Sequence, residues 1–518
     1  MVQQGNKSLR LVLLTTSGLG SRLGEITKYT NKSLVRIDDK PAISHIIESY
    51  PKNTKFIITL GHFGSHVKQF LEIAYPEKDF IFVNVDNYQG PGSSLGYSIL
   101  CARDYIDQPF IFNACDSILK DFNPDNGNYV VGAKKQDYSQ YRTFNVTDGV
   151  VRKINEKGDL KFDYAYTGVC SVENYKRFFE ILSDLENNNE LSDVHVLNEL
   201  MKEEQFSLIE SKEWFDIGNS KELLNTRNSF KSSYEVLDKP QESIYFFDDH
   251  VIKFFSDSTI SKNRVKRAEY LSGLVPNIVA HSENFYKYEK QDADLLAKDI
   301  NIKSFLSLLD WSKTNLWAPS IHDNFDDLCF KFYHDKTYER VNAYLKNYGD
   351  GSKYINGIHV PHINFLLDLV DFDYLSHGTP VTFHGDFILD NILHDYRRFY
   401  LLDWRQDFQG CLHAGDVYYD LAKLNHNLIL NHHVLNNELF TIEDGTHIKC
   451  DVLTPYINIL CQEKYHEWLD NNGFDVNKVK ILTALIWINM APLHEYPLSK
   501  FLFNFGKYNL CRELTNDL

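Results

Sequence analysis

Between Leu9 and Lys134 the chain carries five short apolar runs: LRLVLLTTS, KFIITLG, FIFVNVD, QPFIFNACD and NYVVGAK. Polar or amphipathic stretches with helical spacing separate them. A strand buried on both faces loses the alternation of polar and apolar positions, so this pattern predicts an α/β unit with a mostly parallel sheet covered on both sides. Ligands of such sheets bind at the carboxyl ends of the strands, where Gly18, Gly20 and Asp116 fall. The apolar period fades over NSFKSSYEVLDKPQE, which predicts a linker at residues 228–242 between domains 1–227 and 243–518. ESIYFF and HVIKFF then read as two strands joined by a hairpin at Asp248-Asp249. From about Asp294 helical spacing dominates, as in INFLLDLVDFDYL and VLTPYINILCQEKYHEWLDNN. The second half is therefore expected to be a small strand-rich lobe followed by a larger helical one.

A length of 518 residues exceeds one ordinary core, in keeping with that division. No apolar run exceeds about ten residues, so neither a transmembrane helix nor membrane insertion is expected. The first apolar run is too short for a secretory segment, and a cytoplasmic protein is expected. The eight cysteines are scattered without a CxxC pair, as suits reduced thiols and argues against a zinc site. A net charge of −17 leaves no basic footprint for nucleic acid. Anionic ligands must then be held by local cations and backbone N–H groups.

Gly18-Leu19-Gly20-Ser21-Arg22 directly follows the first predicted strand, so backbone N–H groups can approach a phosphate unobstructed. Arg22 and Lys32 can neutralise a triphosphate and steady a departing pyrophosphate. This segment resembles the opening signature of the nucleotidyltransferases that make sugar nucleotides and CDP-alcohols. Four further segments match that family in order, so the resemblance covers residues 10–227. It implies a Rossmann-like, GT-A-like domain in which Gly92, Ser93 and Ser94 of the loop Gly90–Gly96 read base and ribose. It implies that Asp116, together with Asp216 of Trp214-Phe215-Asp216-Ile217-Gly218, holds Mg²⁺. It also implies that Lys157 of Asn155-Glu156-Lys157-Gly158 grips the acceptor phosphate. The likeness is nearest to the branch that uses CTP. Thr15-Thr16-Ser17, Asn31 before Lys32, and Gly158 depart from the family pattern. A solvated turn lysine is the alternative for Lys157, and a helix N-cap is the alternative for Asp216.

His384-Gly385-Asp386 is followed after four residues by Asn391, and Asp403 ends the apolar run Phe399-Tyr400-Leu401-Leu402. Phosphoryl transfer needs such a layout: one acid to orient and deprotonate a hydroxyl, and an amide with a second acid to hold Mg²⁺ against ATP phosphates. The segment resembles the choline kinase and aminoglycoside phosphotransferase family, from about Glu242 onward. That resemblance implies a bilobal, protein-kinase-like α+β domain with Asp386 as base and Asn391 and Asp403 as Mg²⁺ ligands. It further implies Lys253 on the ATP phosphates, Glu269 as the partner of that lysine, and Asp420 holding the catalytic loop. No glycine lies between Asn219 and Leu271, so the loop at Asp248-Asp249 is not of the glycine-rich type. Arg405 stands where choline-using members carry a carboxylate. A cation there disfavours choline and favours a polyhydroxylated or anionic acceptor. The alternatives are a salt bridge from Arg405 to Asp407 or Asp416, and for Glu269 a solvated helix carboxylate.

Together the two halves imply a bifunctional enzyme. The second would phosphorylate a small alcohol, sugar or polyol with ATP, and the first would condense that phosphate with an NTP, expected to be CTP. The product would be an activated precursor for capsule or lipopolysaccharide. Two other readings remain open: a catalytically silent kinase-like module, or a kinase acting on an unrelated substrate.

Overall fold

A computed structural model describes residues 10–158, 162–185, 191–230, 239–443 and 445–515. Of the expected linker, residues 231–238 lie outside the described residues. The chain forms two compact units, Met1–Ser261 with Val279–Tyr288, and Lys262–Ile278 with Glu289–Leu518.

In the first unit, among the described residues, nine strands form the principal sheet. Its first four, in the order Phe80–Asn84, Lys55–Leu60, Leu11–Thr15 and Phe110–Ala114, are parallel. Alternate residues of Leu11–Thr15 feed opposite cores, as the unbroken apolar runs predict. Val12 and Leu14 pack with Ile43, Ile47, Val67 and Phe70, while Leu11 and Leu13 pack with Ile99, Phe178 and Val194. The expected mostly parallel sheet is instead mixed beyond Phe110–Ala114. Tyr164–Val172 runs antiparallel to Phe110–Ala114 and to Tyr129–Ala133, and Val150–Asn155 runs antiparallel to Phe206–Glu210 and Thr143–Thr147. Burial on both faces looks the same for either direction, so the pattern of residues could not distinguish them.

The hairpin expected at Asp248-Asp249 is present, with Phe246 opposite Val251 and both aspartates exposed. Its strands Glu242–Phe246 and His250–Phe255 belong to a four-stranded sheet with Phe285–Glu289 and Ile278–His281. Tyr245, Ile252, Phe254 and Phe285 join the same core as Val67 and Phe70. The Tyr245 hydroxyl also donates to Leu34 O at 2.7 Å, and Phe246 N donates to Asp39 O at 2.8 Å. This small sheet therefore shares a core with the nine-stranded one.

The second unit is mainly helical. Its central helix Val476–Met490 buries Val479, Leu482, Leu485 and Ile488, and it packs against the helices Val417–Ile429 and Leu498–Thr515. The stretch INFLLDLVDFDYL forms two short helices, Ile363–Leu369 and Phe372–Ser376, where its spacing predicts one. Val370 is extended and the Asp371 side chain accepts from Tyr374 N at 2.9 Å, so a local cap ends one helix and starts the next. Among the described residues no helix is long and apolar enough to cross a membrane.

Candidate active sites

The first site lies at the carboxyl ends of the parallel strands. The chain leaves Leu11–Thr15 into a loop where Gly20 has φ +66, and a Cβ there would meet Lys32 Cβ and Thr27 Cγ2 at 3.1 Å. Only glycine fits both the left-handed backbone and that close approach. Gly18 and Arg22 are exposed on this loop. Asn31 is fully buried and braces the segment. Its Nδ2 donates to Thr16 O at 2.8 Å and to His62 O at 2.6 Å, and its Oδ1 accepts from Ser33 N at 2.8 Å. Lys32 is thereby aimed at Asp116, with Nζ 2.6 Å from Oδ2.

The short strands Ser117–Leu119 and Trp214–Asp216 pair antiparallel, with Asp216 opposite Ser117, and Ile217 N donates to Asp116 O at 3.0 Å. This ladder sets Asp116 and Asp216 side by side. Burial works against the Asp116 carboxylate, but Lys32, and then Arg22, hold it below the usual range. Asp216 goes the other way: burial and the Asp116 charge raise it, against the opposing Gly218 N–H, Lys32 and Tyr141 hydroxyl. Gly218 N and Tyr141 Oη donate to Asp216 at 2.7 and 3.1 Å. Asn219, not Asp216, caps the helix Ser220–Ser229 by accepting from Glu222 N at 3.1 Å.

Across the loop Gly90–Gly96, Ser93 Oγ donates to Gly90 O at 2.7 Å and Ser94 Oγ accepts from Tyr97 N at 3.0 Å. Gly92 adopts φ +85. A Ser17–Ser98 hydroxyl contact of 2.8 Å ties this segment to the first loop. Lys157 is exposed and has no hydrogen bond or ion pair among the described residues. Lys135, which sequence reasoning missed, has Nζ 4.3 Å from the Trp214 ring centroid. Burial lowers its ammonium, and Asp216 works to raise it. Its only signal was its place just after the run NYVVGAK.

The second site belongs wholly to the second unit. His384 is fully buried, with Nε2 2.8 Å from Leu402 O and Nδ1 accepting from Asp386 N at 3.2 Å. Burial lowers its imidazole to about 4, so it is neutral near pH 7. Asp420 accepts from His384 N at 2.7 Å, Gly385 N at 2.6 Å and Trp317 Nε1 at 3.2 Å, which fixes the loop. Gly385 has φ +86, and a Cβ there would lie 2.5 Å from Arg405 Cβ. Asn391 Nδ2 donates to Asp386 O at 3.0 Å and Oδ2 at 3.2 Å. Strands Ile392–His394 and Phe399–Leu401 pair as a hairpin, and Leu402 N donates to Asn391 O at 2.8 Å. That register brings Asp403, at φ +58, beside Asn391.

Three cations absent from the sequence reading serve this site. Lys423 Nζ is 2.7 Å from Asp386 Oδ1, and Arg264 Nη1 is 2.8 Å from Asp403 Oδ1. Arg267, almost fully buried, donates to Leu412 O at 3.0 Å and also to the carbonyls of Phe383 and Arg405. On the same helix, Ser258–Tyr270, Glu269 is exposed. Arg405 makes no salt bridge to Asp407 or Asp416; its Nε donates to Asp407 O at 2.9 Å. Lys253, in the first unit, is buried on the strand His250–Phe255 opposite Ile244.

Among the described residues no cluster of three or more His, Cys, Asp or Glu is arranged to hold a metal. Two carboxylates in the first site, and an amide with a carboxylate in the second, still suit Mg²⁺, a hard cation that takes its remaining oxygens from phosphates and water.

The first unit resembles nucleotidyltransferases. Over 160 residues the chain is 27% identical to the low-salt glycan biosynthesis nucleotidyltransferase Agl11 of Haloferax volcanii, covering 28% of this chain and 44% of that protein. Over 175 residues it is 25% identical to a probable glucose-1-phosphate cytidylyltransferase of Bacillus subtilis, covering 28% of this chain and 68% of that one. The chain thus spans less than half the length of the first of these relatives. Among solved structures, a UDP-glucose pyrophosphorylase complexed with UDP-glucose is 20% identical with a TM-score of 0.38, covering 43% of this chain and 98% of its own. A CTP:phosphocholine cytidylyltransferase from Streptococcus pneumoniae is 18% identical with a TM-score of 0.39, covering 43% and 100%. No family model matches the chain.

Proposed function

We propose that the first unit is a nucleotidyltransferase and that residues 1–227 form its catalytic domain. The observation that carries this reading is the Lys32–Asp116 pair set beside Asp216 beneath the Gly18–Gly20 loop. The acceptor is a small alcohol or sugar phosphate. Its phosphate oxygen attacks the α-phosphorus of an NTP, the α–β bridging bond breaks, and pyrophosphate leaves. Backbone N–H groups at Gly18 and Gly20 receive the triphosphate, Arg22 and Lys32 offset its charge, and Gly92, Ser93 and Ser94 position the nucleoside. Mg²⁺, held by Asp116 and Asp216, supplies charge neutralisation at the phosphates. Lys157, an exposed lysine, meets the acceptor phosphate, and Lys135 stands close to Asp216 as a second candidate for that role. CTP is the preferred nucleotide in this reading. Purified protein given Mg²⁺, each NTP in turn and a panel of sugar and alcohol phosphates should release pyrophosphate and form a nucleotide-linked product. A protein that does neither with any pair rules the reading out.

A second activity is favoured by Asp386, which is bonded to both Asn391 and Lys423. In this reading residues 243–518 form a protein-kinase-like phosphotransferase. Asp386 orients and deprotonates a hydroxyl, and Asn391 and Asp403 would hold Mg²⁺, which would offset the charge of the ATP phosphates. The phosphorylated alcohol, sugar or polyol then becomes the acceptor of the first unit, for surface polysaccharide synthesis in the cytoplasm. All eight cysteines are free, which suits a reducing compartment. A protein that converts only pre-phosphorylated acceptors and leaves ATP untouched would exclude this step. It would leave a silent module, or a kinase acting on an unrelated substrate.

A further inference from the structure

Around Asp386 stands a group of cations with no assigned task. Lys336, at the start of the helix Lys336–Tyr348, has Nζ 4.0 Å from the centroid of the Phe332 ring and 5.8 Å from that of Tyr419. The Arg405 guanidinium lies 5.3 Å from the centroid of the same Phe332 ring, so two cations share one aromatic ring. Arg405 also leads back to the loop, because its Cβ and Cδ fill the space where a Gly385 side chain would be. Arg405, Arg340 and Lys423 repel the Lys336 ammonium, and Asp407 opposes them. Among the described residues neither the Lys336 nor the Arg340 side chain has a hydrogen bond or ion pair.

Such an arrangement is unfavourable with nothing bound. Burial first, then Arg405, Arg340 and Lys423, push the Lys336 ammonium well below the usual lysine range. A bound anion would offset both the desolvation and the repulsion. Lys423, whose charge bears on Lys336, pairs with Asp386 at 2.7 Å, which links the cluster to the atom proposed to accept the hydroxyl proton.

We propose that Lys336, Arg340 and Arg405 form an anion subsite for the acceptor, and that the alcohol phosphorylated at Asp386 carries a carboxylate or phosphate group. This rests on the phosphotransferase reading of the second unit. The acceptor's hydroxyl oxygen bonds the γ-phosphorus of ATP, the bond from that phosphorus to the bridging oxygen breaks, Asp386 takes the proton and ADP leaves. A quaternary ammonium acceptor is repelled from the same place.

The test uses the full chain with Mg²⁺. ADP release from ATP is measured with choline, glycerol, glycerate and glycerol 3-phosphate, widened to further hydroxy acids and alcohol monophosphates. The protein holding ADP is titrated with the same compounds by calorimetry. The expected result is turnover and binding with the carboxylate or the phosphate arm and not with choline. Lys336→Met and Arg340→Met should each weaken KM and Kd for the anion by about tenfold or more. If Lys336→Met does not fold, judged by its melting curve, Arg340→Met on the helix surface carries the comparison. Anion binding that depends on Lys336 and Arg340 without any ADP release keeps the subsite and removes the phosphotransferase reading. Asp386-dependent turnover of choline or glycerol, with anion binding unaltered in both variants, overturns the subsite and keeps that reading. Neither binding nor turnover across the panel overturns both.

Discussion

Lys32 Nζ lies 2.6 Å from Asp116 Oδ2, joining the segment after the first strand to the end of Phe110–Ala114. Burial opposes both charges, yet each holds the other ionised: the Lys32 ammonium is raised and the Asp116 carboxyl lowered. Removing one partner leaves the other charged and short of water. Lys32→Met should therefore lower stability by the low end of roughly 3–5 kcal/mol, and Lys32→Met with Asp116→Asn by less than the sum. Pyrophosphate release should fall about 10²–10³-fold in Lys32→Met. Chemical denaturation of the three variants and a pyrophosphate assay check both statements.

The Asp216 carboxyl is raised by burial and by Asp116, so it must lose a proton before it can hold a cation. Mg²⁺ affinity in the presence of CTP should rise with pH through the region just above the usual carboxylate range. Asp216→Asn should flatten that dependence, and chelation of Mg²⁺ should abolish pyrophosphate release. Calorimetric titration across pH is the measurement.

Asn31 places four side-chain hydrogen bonds around the lysine segment. Asn31→Ala orphans the Thr16 and His62 carbonyls, at about 1–3 kcal/mol. A drop in kcat/KM of roughly 10–100-fold is expected from the misplaced Lys32. Asn31→Pro supplies none of these bonds, and steady-state kinetics should place it no higher than Asn31→Ala.

Gly385 combines φ +86 with a Cβ position 2.5 Å from Arg405 Cβ. Gly385→Ala should cost about 1–3 kcal/mol in backbone strain alone, more once Arg405 shifts, and ADP release should fall with it. Differential scanning calorimetry of the full chain reads the first effect and an ADP assay the second.

Burial raises the Asp420 carboxyl to about 6. Its unfolded value is about 3.9, so between these limits the folded protein binds more protons than the unfolded chain. Its contribution to stability is thus fully present below about pH 4 and is lost as pH rises through about 6. Asp420→Asn should remove that slope while loosening the His384–Gly385 loop. Melting temperatures of wild type and variant from pH 4 to 7 decide it.

Much of this was legible from residue order. The apolar runs found the strands of the parallel half, the hairpin at Asp248-Asp249 was visible as two runs around a polar pair, and both carboxylate clusters were visible as motifs. The mixed half of the sheet was not, because burial on two faces leaves one pattern for either strand direction. Nor was the break at Val370-Asp371, where a side-chain cap overrides helical spacing.

The sequence by itself determined which segments are buried and which short loops carry glycine beside charge, since periodicity and local backbone demands are written within a few residues. Tertiary structure alone decided which charges meet. Arg264 and Asp403 pair across 139 positions, Lys423 and Asp386 lie on separate elements, Lys336 and Arg405 share only a ring, and nothing local marks one as the partner of the other. The same holds for Tyr245 and Phe254, whose apolar faces could have packed on any core and pack beside Phe70. Hydrophobic burial is non-directional, so a sequence specifies that a face is covered, and the closed chain specifies by what.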